Sequence, residues 1–474
     1  MNVKNNTIRV RFAPSPTGHL HIGGLRTALF NWLFARHFNG TYLVRIEDTD
    51  KQRSKQEYVE SIMQSFDWCQ IKADEPIVMQ SDRISEHQKV AERLVEEGKA
   101  YRCYCIPEEI VSRLKQKDGY NDLFSMYDRY CLGNEQKLDK PFVIRFKIPE
   151  TTKAFSFTDL IRGPISFEKD QFDDFIIVRS DGSPTYNLVV VLDDAYMKVS
   201  HIIRGEDHIA NTPKQILLYQ ACNLPLPEFA HLPLILGQSG QRLSKRDAAT
   251  SVLDYKKSGY LPKGLLNYLV RLGWSHGDQE IFTIDELINY FSLKNIGKKG
   301  SIFDMTKLDW LNGLYIRSMQ ADEIISYIIE YIDKDFFSKF FQWNKEQVFA
   351  VIDAYKDRVK TLQELIEKIK LLHDGATEYD KKSVDKWVKK ETISHLQDLI
   401  KLLEIQTLFS SDTLSSNIKI LSKELDIKLV ALAQPIRIAL VGTSASPGVF
   451  GLLEILGKEE SLKRLKSLIA HISH

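Results

Sequence analysis

Two short segments far apart in the chain carry side chains suited to phosphate chemistry: Pro14-Ser15-Pro16-Thr17-Gly18-His19-Leu20-His21-Ile22-Gly23-Gly24 and Arg242-Leu243-Ser244-Lys245-Arg246. Imidazoles at His19 and His21 can donate to phosphate oxygens, and Gly18, Gly23 and Gly24 let a nucleotide approach the backbone. Arg242, Lys245 and Arg246 sit in a Gly- and Ser-containing stretch that can swing cations onto a leaving pyrophosphate. Together the segments suit the two halves of an ATP site at which an acid is adenylated. Neither carries much alone, because a lone histidine in a Gly/Pro turn is commonly incidental and a short basic run is commonly a solvated face.

The first segment follows an apolar-alternating strand, Ile8 to Phe12, and leads into residues 25–38, where Leu25, Leu29, Trp32 and Leu33 keep helical spacing. Strand, Pro/Gly turn and helix is how an α/β sheet presents free amides to phosphate. A kinase-type phosphate loop is excluded, since Gly24 and Leu25 stand where that loop needs its lysine and hydroxyl. A second glycine-lysine run, Gly297 to Ser301, follows no clear buried strand and reads as a solvated basic turn.

Further motifs lie between and beyond the two segments: Val44-Arg45-Ile46-Glu47-Asp48-Thr49-Asp50, Asp181-Gly182-Ser183-Pro184-Thr185-Tyr186, Ile203-Arg204-Gly205-Glu206-Asp207-His208, the stretch from Phe303 to Gly313, and Ser446 to Phe450. Their order and spacing resemble those of class I aminoacyl-tRNA synthetases. More narrowly, the chain resembles a bacterial-type glutamyl-tRNA synthetase over nearly its whole length. That resemblance implies a ligase that activates L-glutamate with ATP and Mg²⁺ and passes the glutamyl group to the terminal ribose of the glutamate tRNA. It leaves open whether the glutamine tRNA is charged as well.

The resemblance also implies residue roles. His21 and Lys245 would be catalytic, as stabilisers of charge on the phosphates. Pro14, Ser15, Gly18, His19, His21, Gly23, Gly24 and residues 242–246 (Arg242, Leu243, Ser244, Lys245, Arg246) would hold ATP. Glu47 and Ser15 would serve the ammonium of glutamate, and Arg11, Tyr186 and Arg204 its side-chain carboxylate, which a planar guanidinium binds in bidentate fashion. Against these roles, Arg11 is open to reading as the solvent face of an edge strand, Arg204 as a partner of Glu206 or Asp207, and Glu47, Asp48 and Asp50 as a Mg²⁺ cluster. Val190 stands where some relatives place an asparagine that helps hold the amino acid.

Five cysteines in so long a chain argue for reduced thiols rather than a disulfide framework. Cys69 and Cys222 sit among apolar residues and read as core. Cys103, Cys105 and Cys131 resemble the zinc knuckle of some relatives, but zinc takes four ligands. The relatives' fourth falls at Gly133, which has no side chain, so a metal-poor knuckle is expected, with Tyr127, Asn134 and Glu135 as poorer substitutes.

Charge balance would not have pointed to RNA: 64 basic and 63 acidic side chains are spread evenly over the chain's two halves. A short polar N-terminus and the lack of a long apolar run predict a cytoplasmic protein with no membrane partner, expected to be monomeric. The expected fold is an α/β Rossmann-like class I synthetase catalytic domain with an inserted α+β domain, followed by an all-α C-terminal half. Residues 1–100 and 196–255 would form the split catalytic domain, 101–195 the inserted acceptor-binding domain, 256–325 a stem-contact domain and 326–474 the helical anticodon-binding domain. Stripes such as Val359, Leu362, Ile366 and Ile369, or Leu396, Leu399, Ile400 and Leu403, would form the helical core.

Overall fold

The structure is a computed structural model that describes residues 7–116, 127–133, 139–151, 154–243, 251–331, 336, 340 and 343–473. Ser244, Lys245 and Arg246 lie outside the described residues, as do Asn134 and Glu135. The chain divides into two compact units, residues 1–254 with 266–304, and residues 255–265 with 305–474.

In the first unit the elements run β1 (Arg9–Phe12), α1 (Ile22–His37), β2 (Thr41–Ile46), α2 (Gln56–Cys69), β3 (Val78–Met79), α3 (Ile84–Glu96), β4 (Ala100–Cys103), α4 (Pro107–Lys115), β5 (Val143–Phe146), β6 (Ala154–Asp159), β7 (Gly163–Glu168), β8 (Ile176–Val178), α5 (Tyr186–Tyr196), β9 (His201–Gly205), α6 (Thr212–Ala221) and β10 (Glu228–Leu232). The main sheet has the order β3-β2-β1-β9-β10-β6-β7. Its pairings are parallel except that of the β6–β7 hairpin. Parallel strands need crossover connections, and α1 supplies the first, from β1 to β2. At its end Gly40 passes so close to the strand entrance that a Cβ there would lie 2.4 Å from the carbonyl oxygen of Ile8.

Strand β1 is an interior strand, flanked by β2 on one side and β9 on the other. That overturns the edge-strand reading of Arg11: with both faces covered, Val10 and Phe12 are buried, and Arg11 is only 4% exposed. Within residues 101–195, expected as the insertion, a separate antiparallel sheet β4-β5-β8 stands apart while the β6–β7 hairpin extends the main sheet beyond β10. Phe146, Phe175 and Ile177 fill the core beneath the small sheet.

The second unit is helical. Its helices include Met305–Ser318, Ala321–Ile328, Lys345–Lys356, Leu362–Asp374, Lys390–Ile405, Ser411–Glu424, Leu429–Val441 and Val449–Ser473, the last broken at Gly457. The stripes expected at 359–369 and 396–403 all lie in its core, the least buried being Ile400 at 8% exposure. Among the described residues no helix is long and apolar enough to cross a membrane.

Candidate active site

In a parallel sheet, ligands bind outside the carboxyl ends of the strands where the chain order reverses. Here that point lies between β1, whose chain continues through α1 to β2, and β9, which arrives from the far end of the insertion. An open cavity of about 760 Å³ occupies this position. The end of β1 (Arg11, Phe12, Ala13), the end of β9 (Ile203, Arg204, Gly205) and the turn before α1 all line it. Of the residues expected from sequence, Arg11, Ser15, Gly18, His19, His21, Gly23, Gly24, Glu47, Tyr186, Arg204, Arg242 and Leu243 meet there. Pro14 stands just behind, its carbonyl accepting from the Glu47 amide at 2.9 Å.

The turn before α1 is organised by His21, which caps the helix: the Gly24 amide donates to its Nδ1 at 3.2 Å. Because Nδ1 accepts, the ring proton sits on Nε2, free to donate to an anion at the helix N-terminus. Surrounding protein atoms dehydrate the ring and hold its pKa below 6.5; the Arg242 guanidinium adds to the depression and Asp207 opposes it. Gly24 has no room for a side chain, since a Cβ would meet Leu20 Cδ1 at 2.8 Å. His19 is engaged differently, with Nδ1 3.0 Å from the Ser61 hydroxyl and its ring edge-on to Tyr58. Arg242 reaches the cavity from a turn that Gly240 closes at φ +76°, and its Nη2 lies 3.6 Å from Asp207.

The opposite wall holds the charged groups. Arg11 is clamped by Asp194 of α5, and Arg45 bridges Asp194 to Glu47, donating to Glu47 Oε1 at 2.9 Å. Burial alone would raise the pKa of Asp194, but Arg11 and Arg45 outweigh it and hold the carboxyl below its usual range. Glu47 differs: burial pushes its pKa up, and Arg45 and Arg11 only partly offset this. A cation arriving beside it, such as an ammonium, would favour the charged form.

Arg204 is buried without an acid partner. Glu206 is taken by Arg162 and by the Leu234 amide, and Asp207 faces Arg242, so the pairing read as an alternative for Arg204 does not form. Instead Arg204 donates from Nε to His231 and from Nη2 to Thr212, at 3.2 and 2.8 Å, while Nη1 is buried with no partner among the described residues. An orphaned guanidinium nitrogen beside a cavity is a vacancy for an anion. The Tyr186 hydroxyl lies 3.0 Å from His208 Nδ1. Val190, on the same helix as Tyr186, is buried and does not line the cavity.

Two arginines and Glu47 on one cavity, at the strand switch and beside a helix N-terminus, suit an acidic amino acid and a nucleotide. The family model described as "tRNA synthetases class I (E and Q), catalytic domain" matches residues 7–310, and that of an anticodon binding domain matches residues 323–469. The glutamate–tRNA ligase of Thermodesulfovibrio yellowstonii is 45% identical over 465 residues, 98% of this chain and 99% of that one. The chain belongs to the glutamate–tRNA ligase family. The ligase of Geobacter sulfurreducens is 43% identical over 98% of this chain and 99% of its own. A crystal structure of a glutamate tRNA ligase from Elizabethkingia meningosepticum, in complex with its amino acid, superposes with a TM-score of 0.85 at 31% identity, covering 98% and 99% of the two chains.

Two further features of this glutamate–tRNA ligase family member concern metals. Glu47, Asp48 and Asp50 do not converge: Glu47 accepts from Arg45, Asp48 from Ser81, and Asp50 from Arg53. Among the described residues, the one group of three ligand-type side chains that does converge is Cys103, Cys105 and Cys131, with sulfurs within 4.8 Å of one another. Gly133 brings no donor, but Tyr127 does: its hydroxyl is 3.1 Å from Cys103 Sγ and 4.0 Å from Cys105 Sγ.

Asp194, Arg45, His208, Asp159 and His231 were missed in the sequence. Asp194 and His231 each sit beside apolar runs, and only Arg45 and His208, within recognised motifs, carried a signal.

Proposed function

We propose that this chain catalyses ATP-dependent glutamylation of tRNA in the cytoplasm, with the following division of labour. An oxygen of glutamate's α-carboxylate attacks the α-phosphorus of ATP, the bond to the bridging oxygen breaks, and pyrophosphate leaves. The terminal ribose hydroxyl of the tRNA then attacks the carbonyl carbon and AMP leaves. Such chemistry needs positioning and charge neutralisation more than covalent help. The His21 Nε2–H at the N-terminus of α1 and Lys245, three positions after Arg242 in the sequence, neutralise charge on the phosphates. Mg²⁺, carried mainly by ATP, supplies further shielding of those oxygens. Glu47 and Ser15 receive the ammonium, and Arg204, Arg11 and Tyr186 the side-chain carboxylate. The observation that carries this assignment is that Arg204, Arg11, Tyr186 and Glu47 line one cavity, with Arg204 Nη1 buried and unpartnered among the described residues.

The cysteine knuckle suits zinc. Three thiols and the Tyr127 phenol give the four donors of a closed structural site, and zinc there would fix the fold of the region 101–195, assigned to the tRNA acceptor end. Residues 256–325 would grip the tRNA stem and 326–474 the anticodon. In the second unit Arg358 and Pro447-Gly448 line one cavity of about 620 Å³, which is where an unstacked anticodon base would be read. The protein acts as a monomer in this reading.

A charging assay with purified glutamate and glutamine tRNAs tests the function. Efficient glutamylation of the glutamate tRNA is expected, and none would overturn the assignment. Lys245→Ala should lower the adenylation rate by about 2 to 4 kcal/mol of barrier with little change in glutamate affinity. Arg358→Ala should alter the preference between the two tRNAs while adenylation persists; an unchanged preference would remove Arg358 from anticodon reading.

A further inference from the structure

We propose that His231, held by Asp159, is a positioning residue that presents Arg204 to the side-chain carboxylate of glutamate. The proposal rests on the assignment of Arg204 to that carboxylate. Three adjacent strands of the main sheet build the arrangement. Residue 231 on β10 is paired in register with residue 204 on β9, and β6, on the other side of β10, ends at Asp159, which is paired with Phe229. A histidine two residues beyond Phe229 therefore stands between an arginine and an aspartate on its two neighbours.

The hydrogen bonds fix the state of each member. His231 and Asp159 are almost completely buried, at 0% and 2% exposure. His231 Nε2 lies 3.2 Å from Arg204 Nε, and a guanidinium has only donors, so Nε2 accepts. The ring proton is thus on Nδ1, donated to Asp159 Oδ2 at 2.7 Å. Asp159 is itself anchored, its Oδ1 accepting the amides of Ile161 and Arg162 at 2.9 and 2.8 Å. Burial keeps the imidazole pKa below 6.5 despite the Asp159 hydrogen bond, which favours the neutral ring this geometry requires.

Arg204 consequently spends Nε on His231 and Nη2 on Thr212 and the His208 carbonyl, leaving only Nη1 without a partner among the described residues. Rotation of the guanidinium would break all of these bonds. The neutral imidazole also holds the arginine without setting a carboxylate against it, whereas an acid in its place would compete with the substrate carboxylate.

The test is ATP–pyrophosphate exchange with tRNA added, measuring KM for glutamate and for ATP separately. His231→Asn keeps a nitrogen donor toward Asp159 but removes the acceptor for Arg204; His231→Gln places an amide oxygen where Nε2 was. His231→Asn should raise the glutamate KM by about tenfold or more, with ATP KM and kcat within about twofold, and His231→Gln should recover most of the loss. Asp159→Asn, which lets the ring tautomer reverse against Arg204, should also raise the glutamate KM, and it carries the test if His231→Asn does not fold. Wild-type glutamate KM in either of these folded variants, or equal losses in the Asn and Gln variants of His231, would overturn the proposal. Arg204→Ala separates the two levels: if it leaves the glutamate KM unchanged, the assignment of Arg204 fails, whereas an increase there without one in His231→Asn refutes the positioning role alone.

Discussion

Asp194 grips Arg11 through both carboxylate oxygens, Nε donating at 3.0 Å and Nη2 at 3.3 Å, with Asp194 wholly buried and Arg11 lining the cavity. The two residues are 183 positions apart, so closing this contact docks α5 against the first strand of the sheet. Arg45 reaches the same carboxylate from β2, so one acid balances two buried guanidinium groups, with Glu47 the remaining anion.

Removing the shared acid leaves Arg11 without an acid and Arg45 with Glu47 alone. Asp194→Asn should destabilise the first unit by about 3 to 5 kcal/mol, the range for breaking one side of a buried charge pair. Chemical denaturation of the two proteins checks this. Stability equal to that of the unmodified chain would mean that solvent or a rearranged Glu47 takes over the balance.

His208 gives the stability a pH dependence. Burial, reinforced by the nearby Arg204 guanidinium, lowers its pKa from 6.5 to about 4. The unfolded chain therefore binds a proton below about pH 6.5 that the folded chain refuses until about pH 4. Stability is highest above that window, falls as pH drops through it, and levels off for this group below it. His208→Asn keeps an acceptor for the Tyr186 hydroxyl and should remove about 1 to 3 kcal/mol of that loss. Thermal midpoints measured from pH 7.5 to pH 4 compare the two, and identical curves would show that His208 does not titrate in this way.

At the cysteine knuckle the expectation changes with the position of Tyr127. Its hydroxyl also accepts the Cys131 amide at 3.1 Å, which ties the phenol to the thiol cluster. Freshly purified protein should carry close to one zinc per chain, and Tyr127→Phe should lower the occupancy or speed its loss to a chelator. Elemental analysis decides; absence of zinc in protein prepared without chelator would return the knuckle to a metal-free hydrogen-bonded cluster.

Much of the site was legible because the chemistry is local in sequence: residues 9–24 form one strand-turn-helix corner, and residues 203–208 end one strand and follow it. The helical half was legible for the same reason, since a stripe such as Leu396, Leu399, Ile400 and Leu403 marks its own buried face. What could not be read were partners supplied by topology. Ile8, Val10 and Phe12 alternate with Arg9 and Arg11 as in a half-exposed strand, yet β1 lies between β2 and β9 and Arg11 is buried. Arg11 then needs an acid, and only the docking of α5 against β1 names it as Asp194. His231 was hidden likewise, because its partners lie on the strands either side of its own. Tyr127 ranked as a poor ligand by type and was brought to the sulfurs by the fold.

In the proposed function, arginines at the carboxyl ends of β1 and β9 select the charged side chain of glutamate. The most direct test is adenylation by the unmodified chain and by Arg204→Ala, with glutamate and with glutamine, in the presence of the glutamate tRNA. The unmodified chain should strongly prefer glutamate, and Arg204→Ala should lose about 1.5 to 3 kcal/mol of that preference, the worth of a charged hydrogen bond. Undiminished discrimination in Arg204→Ala and in Arg11→Ala alike would contradict the account.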